Sequence, residues 1–368
     1  MGRAGAEGGA GAGGRGRALY GRTGLDVSGG RGPMSTTLNR PTGQGTSPHS
    51  PPSFGTLARV VLRLHRGALL TWVAVVVLVG AGLVWLRWVG VSVVLPGPLE
   101  CWVGPGCGPQ EAVQESEMTH HIFWLDWVSV LLLALPVAVA AWAGAALTGA
   151  EQERGTAALA WTQSVSPRRW IAVKWAVAGG VLTAGASSLV LLFVWARSVP
   201  YMDGSPLDDW TDWLTFSASG PVAPALFLLA LTLGAYAGLL LRRSLAALAV
   251  SAGAMFGVVQ GLPLLIPHLW PTERIFGWKV TAAPARAWVL SESALDAQGR
   301  PVSMSDCQYG RESLVRQCAE AKGVEGFETL FHPASHAVPL HLAETALILA
   351  LTAALAFAAL RLLRRRTP

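Results

Sequence analysis

Charge is what this 368-residue chain has least of: Asp, Glu, Lys and Arg together make up 14% of it, against ~25% in soluble globular domains. That shortage argues against a water-soluble fold. Lysine is confined to Lys174, Lys279 and Lys322, so arginine supplies most of the positive charge. The net +6 is spread along the chain and is not gathered into a basic patch interleaved with exposed aromatics, which excludes the usual nucleic-acid surface. No Gly-x-x-x-x-Gly-Lys-Ser/Thr loop occurs, so the chain cannot hydrolyse ATP by that device. His-Glu-x-x-His, Gly-x-Ser-x-Gly and the kinase signatures are missing too, so no enzyme activity and no cofactor is expected. The four cysteines include no Cys-x-x-Cys pair, and a metal site is not expected.

What the chain does have is apolar residues, 52% of the total, and they are clustered. Six windows approach or exceed the ~18 residues that cross a bilayer: Ala68 to Leu86, Trp127 to Thr148, Ile171 to Trp195, Val222 to Leu241, Leu245 to Ile266 and Leu342 to Leu363. Each should be helical, because lipid offers no partner to free backbone N–H and C=O groups. The expected fold is therefore an all-α integral membrane protein of six transmembrane helices occupying 56–366, with a large outer loop at 267–340.

Flanking charge sets the orientation. Arg59, Arg63 and Arg66 precede the first span, and Arg154, Arg168, Arg169 and Lys174 lie between the second and third. Arg242 and Arg243 separate the fourth and fifth, and Arg361 with Arg364, Arg365 and Arg366 ends the chain. The opposite loops carry Glu100, Glu111, Glu115, Glu117, Asp126, Asp203, Asp208, Asp209 and Asp212. Both termini of this multi-pass protein are thus expected in the cytoplasm. Trp85, Trp88, Trp124, Trp127, Trp170, Trp175, Trp195 and Trp270 fall near span ends, as headgroup anchors do.

Residues 1–55 are rich in Gly, Arg, Ser, Thr and Pro and read as a disordered tail. Met34 opens a stretch resembling an ordinary bacterial start, and we expect translation to begin there. Cys101, Cys107, Cys307 and Cys318 all fall in outer loops, where oxidation is feasible. Three pairings are open to them, two local bridges being the simplest. His120 and His121 read as interface histidines. Within the spans, Gln260 and Glu344 are the polar groups for which a translocation path competes with a helix-to-helix hydrogen bond or a hydrated position. Gly179, Gly180, Gly185 and Ala186 read as packing positions.

The connector GAEQERGTAALAWTQSVSPRRWIAVKW, residues 149–175, holds the most specific pattern. Glu151, Glu153 and Arg154 end the second span, Gly155 and Thr156 break it, and a ten-residue amphipathic stretch containing Leu159 and Trp161 follows. Ser166 and Pro167 form a helix-start signal leading through Arg168, Arg169 and Lys174 into the third span. The segment reads as an elbow: span, surface helix, span. Its Glu-x-Glu-x-Gly-Thr, Leu, Ser-x-Ser-Pro-Arg and following Lys resemble the cytoplasmic signature of type-2 ABC transporter permeases. The longer AWTQSVSPRRWIAVK is similar to a subfamily common in actinobacteria. That subfamily's Gly-Ala-rich run is matched by Ala143 to Ala150. Its His-Pro-Ala segment and following Glu are matched by His332, Pro333, Ala334 and Glu344. Ala157 and Ala158 depart from a His-Arg pair often found there.

The resemblance implies a multi-pass permease of a bacterial plasma membrane, not an enzyme and without ATP chemistry of its own, whose elbow is a coupling helix docking on a separately encoded ATPase. It further implies a permease homodimer and export of a small amphipathic molecule. Two other classes remain open on the residues alone. An ion-driven secondary carrier would show paired intramembrane acids and an internal repeat; a non-transporting membrane sensor or immunity protein would bind the ATPase without moving cargo.

Overall fold

The computed structural model describes residues 53–94, 109–153, 166–198, 210–278, 284, 286–307 and 312–366. Six helices are long and apolar enough to cross a membrane. Helix α1 (Phe54–Leu64) is amphipathic: Ser53 caps it, Leu57 and Val61 are buried, and Arg59 and Arg63 are exposed. A turn at His65 leads into α2 (Arg66–Val94), the first span. The second span, α3 (Pro109–Trp142), continues as a π-helical segment, Ala143–Gly149, and a last α turn, Ala150–Glu153. The third is α4 (Pro167–Arg197), which begins at the Ser166-Pro167 signal, with the Ser166 hydroxyl accepting from the Arg169 N–H. A short helix, α5 (Trp213–Ser219), is capped by Asp212 and precedes the fourth span, α6 (Val222–Leu241). Only Arg242 and Arg243 separate α6 from α7 (Ser244–Leu265), Arg242 taking a left-handed backbone conformation to close the turn. The sixth span is α9 (Ala337–Arg366).

Burial is uneven among the spans. About 67% of the α6 window lies inside the protein, against 17% for α2 and for the last span. Helix α6 is therefore the centre of the bundle, flanked by α3, α4, α7 and α9. Its Leu226, Phe227, Leu229 and Ala230 belong to the largest apolar core, with Ala140, Ala143 and Leu147 from the second span. Trp85, Trp88, Trp124 and Trp127 are more than half exposed, as anchors at a headgroup layer would be.

The all-α description is corrected by the structure in the region read as an outer loop, 267–340. That region folds into an antiparallel four-stranded sheet in the order β1-β4-β2-β3, from β1 (Glu273–Gly277), β2 (Trp288–Asp296), β3 (Pro301–Val302) and β4 (Val324–His332). Helix α8 (Glu312–Ala321) lies between β3 and β4. Central β4 alternates Phe327, Thr329 and Phe331 inward, the period-2 pattern of a half-buried strand. A Cys307–Cys318 disulfide staples α8 to the segment after β3. Ala294, Ala319, Val324 and Phe327 form a small core beneath.

Candidate functional site

The structure places the two ends of the elbow and leaves its middle aside: Arg154, Gly155, Thr156, Leu159 and Trp161 lie outside the described residues, as do Cys101 and Cys107. Glu151 sits in the last helical turn of the second span. On the incoming side, the Glu153 carboxylate accepts from the Ser244 N–H at 3.1 Å and the Ser244 hydroxyl at 2.5 Å. An acidic group at the first turn of α7 satisfies a free N–H and meets the positive end of the helix dipole. Glu153, read from sequence as a contact for a partner, thus also ties the second span to the fifth.

On the outgoing side Lys174 is buried, and its ammonium donates to the Leu147 carbonyl at 2.8 Å, beside the Trp170 ring. Leu147 belongs to the π-helical segment. Lys174 therefore reads as a brace inside the bundle, while Arg168 is exposed at the surface and Arg169 partly so.

The π-helical segment is a packing hub that sequence reasoning did not identify. A Cβ on Gly234 would lie 2.8 Å from Ala143 Cβ and from the Gly144 nitrogen, and one on Gly238 would lie 2.8 Å from the Gly144 carbonyl. From the other side, a Cβ on Gly144 would lie 2.8 Å from the Ala247 carbonyl. Two hydroxyls lock the contact: Thr148 donates to the Ala235 carbonyl at 3.1 Å, and Ser251 to the Ala140 carbonyl at 2.9 Å. The available signal was Gly234-x-x-x-Gly238, a small-residue spacing that lets membrane helices approach closely, opposite the small run from Ala143 to Gly149. Of the glycines read as packing positions, Gly185 abuts the Trp72 ring and Gly179 meets Leu228, whereas Gly180 has nothing within 4 Å.

Gln260 and Glu344 are not brought together. Gln260 is on the exposed face of α7, so it does not sit in a buried helix-to-helix contact within this chain. Glu344 is wholly buried in α9; its oxygens accept no hydrogen bond of standard geometry among the described residues, and the Ser217 hydroxyl of α5 is the group that reaches toward it. His341, one turn away, stacks on Phe216 with ring centroids 3.8 Å apart. This makes α5 the cover of a polar pocket in the last span. His121, read as an interface histidine, is buried. Nearby Arg197 pairs with Asp126 at 3.1 Å.

Where the sheet module joins the spans, His332 and His336 approach through their Nδ1 atoms at 3.1 Å, and His332 Nε2 lies 3.2 Å from the Pro267 carbonyl. A carbonyl only accepts, so His332 carries its proton on Nε2 and His336 Nδ1 donates to it. Glu273 lies 3.6 Å from His336 Nε2. Burial is the main influence on His332 and holds its pKa below the ordinary 6.5, the neighbouring His336 adding to this and the Pro267 and Glu273 oxygens opposing it. Among the described residues no group of three or more His, Cys, Asp or Glu is placed to hold a metal ion.

The bundle of six apolar helices agrees with what known proteins show of this sequence. A family model described as ABC-2 membrane transporter related matches residues 73–266, just over half of the 368-residue chain. No curated protein and no solved structure matches. The match runs from the first span through the elbow to the end of the fifth, and the chain belongs to the ABC-2 membrane transporter related family.

Proposed function

We propose that this chain is the membrane-spanning permease of an ATP-driven exporter, acting as a homodimer and moving a small amphipathic molecule. A separately encoded ATPase would dock on the elbow, and closure of the ATPases would bias the spans between two arrangements. The observation that carries this reading is the anchoring of both elbow ends in the packing hub, through Glu153 on Ser244 and Lys174 on the Leu147 carbonyl. Displacement of these two ends would act directly on the helices packed against the hub. The orientation with the elbow in the cytoplasm is supported by the Cys307–Cys318 bridge. By parity of the spans that bridge lies on the opposite side, where an oxidising compartment favours it.

Reconstitution in liposomes with the partner ATPase tests the proposal. Cargo-stimulated ATP hydrolysis is expected, and reversing the exposed charges with Arg168→Glu and Arg169→Glu should lower it at least tenfold without loss of membrane insertion. Normal coupled transport by that variant would remove this side of the elbow from the mechanism. ATPase binding with no cargo-stimulated hydrolysis would favour a sensor or immunity protein instead.

A further inference from the structure

A crevice of about 470 Å³ opens on the flank of the bundle between α1, α2, α3 and α4. That is within the ~300–1,000 Å³ range of ligand sites. Trp72, Trp142, Val139 and Leu182 form its walls, and Leu62, Thr71 and Ala138 stand exposed at its rim. The Trp72 indole is committed to the Val181 carbonyl at 3.2 Å, so the interior offers hydrocarbon contact and little to hydrogen-bond. An occupant must bring a flexible apolar chain.

The residues that follow the lining in the chain suggest what the other end of that occupant carries. Arg63 directly follows the lining residue Leu62, Arg66 directly follows lining His65, and Arg59 lies one turn before Arg63. All three are exposed and form no ion pair among the described residues. Neither α1 nor α2 contains an acidic residue. Helix α1 is amphipathic, with Leu57 and Val61 packed on Val173 of α4, as in helices that lie in a headgroup layer. Guanidinium groups suit phosphate oxygens, and basic clusters beside a span attract anionic lipid. We propose that this crevice is a binding site for one anionic glycerophospholipid, an acyl chain lying against Trp72 and Trp142 and the phosphate held by Arg59, Arg63 and Arg66. The lipid is a resident ligand, distinct from the exported cargo, and its binding requires no ATPase.

Native mass spectrometry of the purified full chain, after exchange into phosphatidylglycerol or phosphatidylcholine, tests this. The wild type should retain phosphatidylglycerol at least tenfold better than phosphatidylcholine. Ala138→Trp, which fills the crevice from its rim, should abolish retention, whereas Leu78→Trp on the exposed surface of α2 should not. Replacing all three arginines by Gln should erase the preference between the lipids. As a readout on unmutated protein, phosphatidylglycerol with a photoreactive acyl chain should cross-link within 68–75, 135–142 or 177–182, and unlabelled phosphatidylglycerol should compete. Equal retention of the two lipids by the wild type, cross-links elsewhere, or an Ala138→Trp variant that loses self-association and keeps its lipid would each overturn the site, the last by assigning the crevice to a second copy of the chain. None of these results bears on cargo-stimulated ATP hydrolysis, so the lipid site and the transport reading fail separately.

Discussion

At the residue scale, the bundle depends on a few atoms that have no room to move. Gly238 faces the π-helical segment so closely that a methyl group there would meet the Thr148 hydroxyl and the Gly144 carbonyl, while Gly257, on the same kind of membrane helix, has nothing within 4 Å. Overpacking a tight core costs ~1–3 kcal/mol. Gly238→Ala is therefore expected to lower the melting temperature in detergent, and Gly257→Ala to leave it unchanged. Equal melting temperatures for the two variants would contradict the close approach. Lys174→Met keeps the stem and removes the donor to the Leu147 carbonyl, leaving a buried acceptor unmet at a cost of ~1–3 kcal/mol. The same melting experiment should show a loss, and a neutral result would mean that the carbonyl finds another donor. Lys174 was legible in the sequence as part of the elbow signature, but its burial was not, because a one-dimensional pattern does not say which face of α4 meets the second span.

At the scale of elements, the sheet module is the part that the sequence concealed most. Its strands are short, its charges mixed and its 267–340 stretch broken by Gly and Pro, so hydropathy showed only a break between two spans. The pairing of β4 between β1 and β2 is non-local, and no local pattern encodes it. The module meets the membrane helices at His332, where the neutral ring is favoured by burial. A histidine whose pKa is lower in the folded state binds fewer protons folded than unfolded. Its stabilising contribution is complete above the ordinary value of 6.5 and is lost as pH falls from there through the folded value. Resistance of the module to proteolysis should accordingly weaken between pH 7.5 and 5, with Glu273 and His336 the neighbouring polar groups at the junction. His332→Gln should flatten that dependence, and an unchanged pH profile would place the titrating group elsewhere.

At the scale of the whole molecule, the six spans and the charges between them define one arrangement across the bilayer. With single cysteines placed at Ser303 in the sheet module and at Arg364 at the end of the last span, a membrane-impermeant thiol reagent applied to intact cells should label the first and spare the second. The reverse pattern would invert the proposed orientation and put the elbow outside, away from any ATPase.

The six apolar segments and the helix restart at Ser166-Pro167 were determined by the sequence alone. Lipid forces an apolar run of that length into a helix, and a proline at the first helical position fixes where the next one begins. Tertiary structure alone decided that α6 is the centre of the bundle, that Glu153 caps α7, that Lys174 braces the π-helical segment and that the fifth connection is a disulfide-stapled sheet. Each of these joins residues far apart in the chain. Which face of a uniformly apolar helix turns inward depends on where glycines and hydroxyls on its neighbours allow contact, and that is settled only when the helices pack.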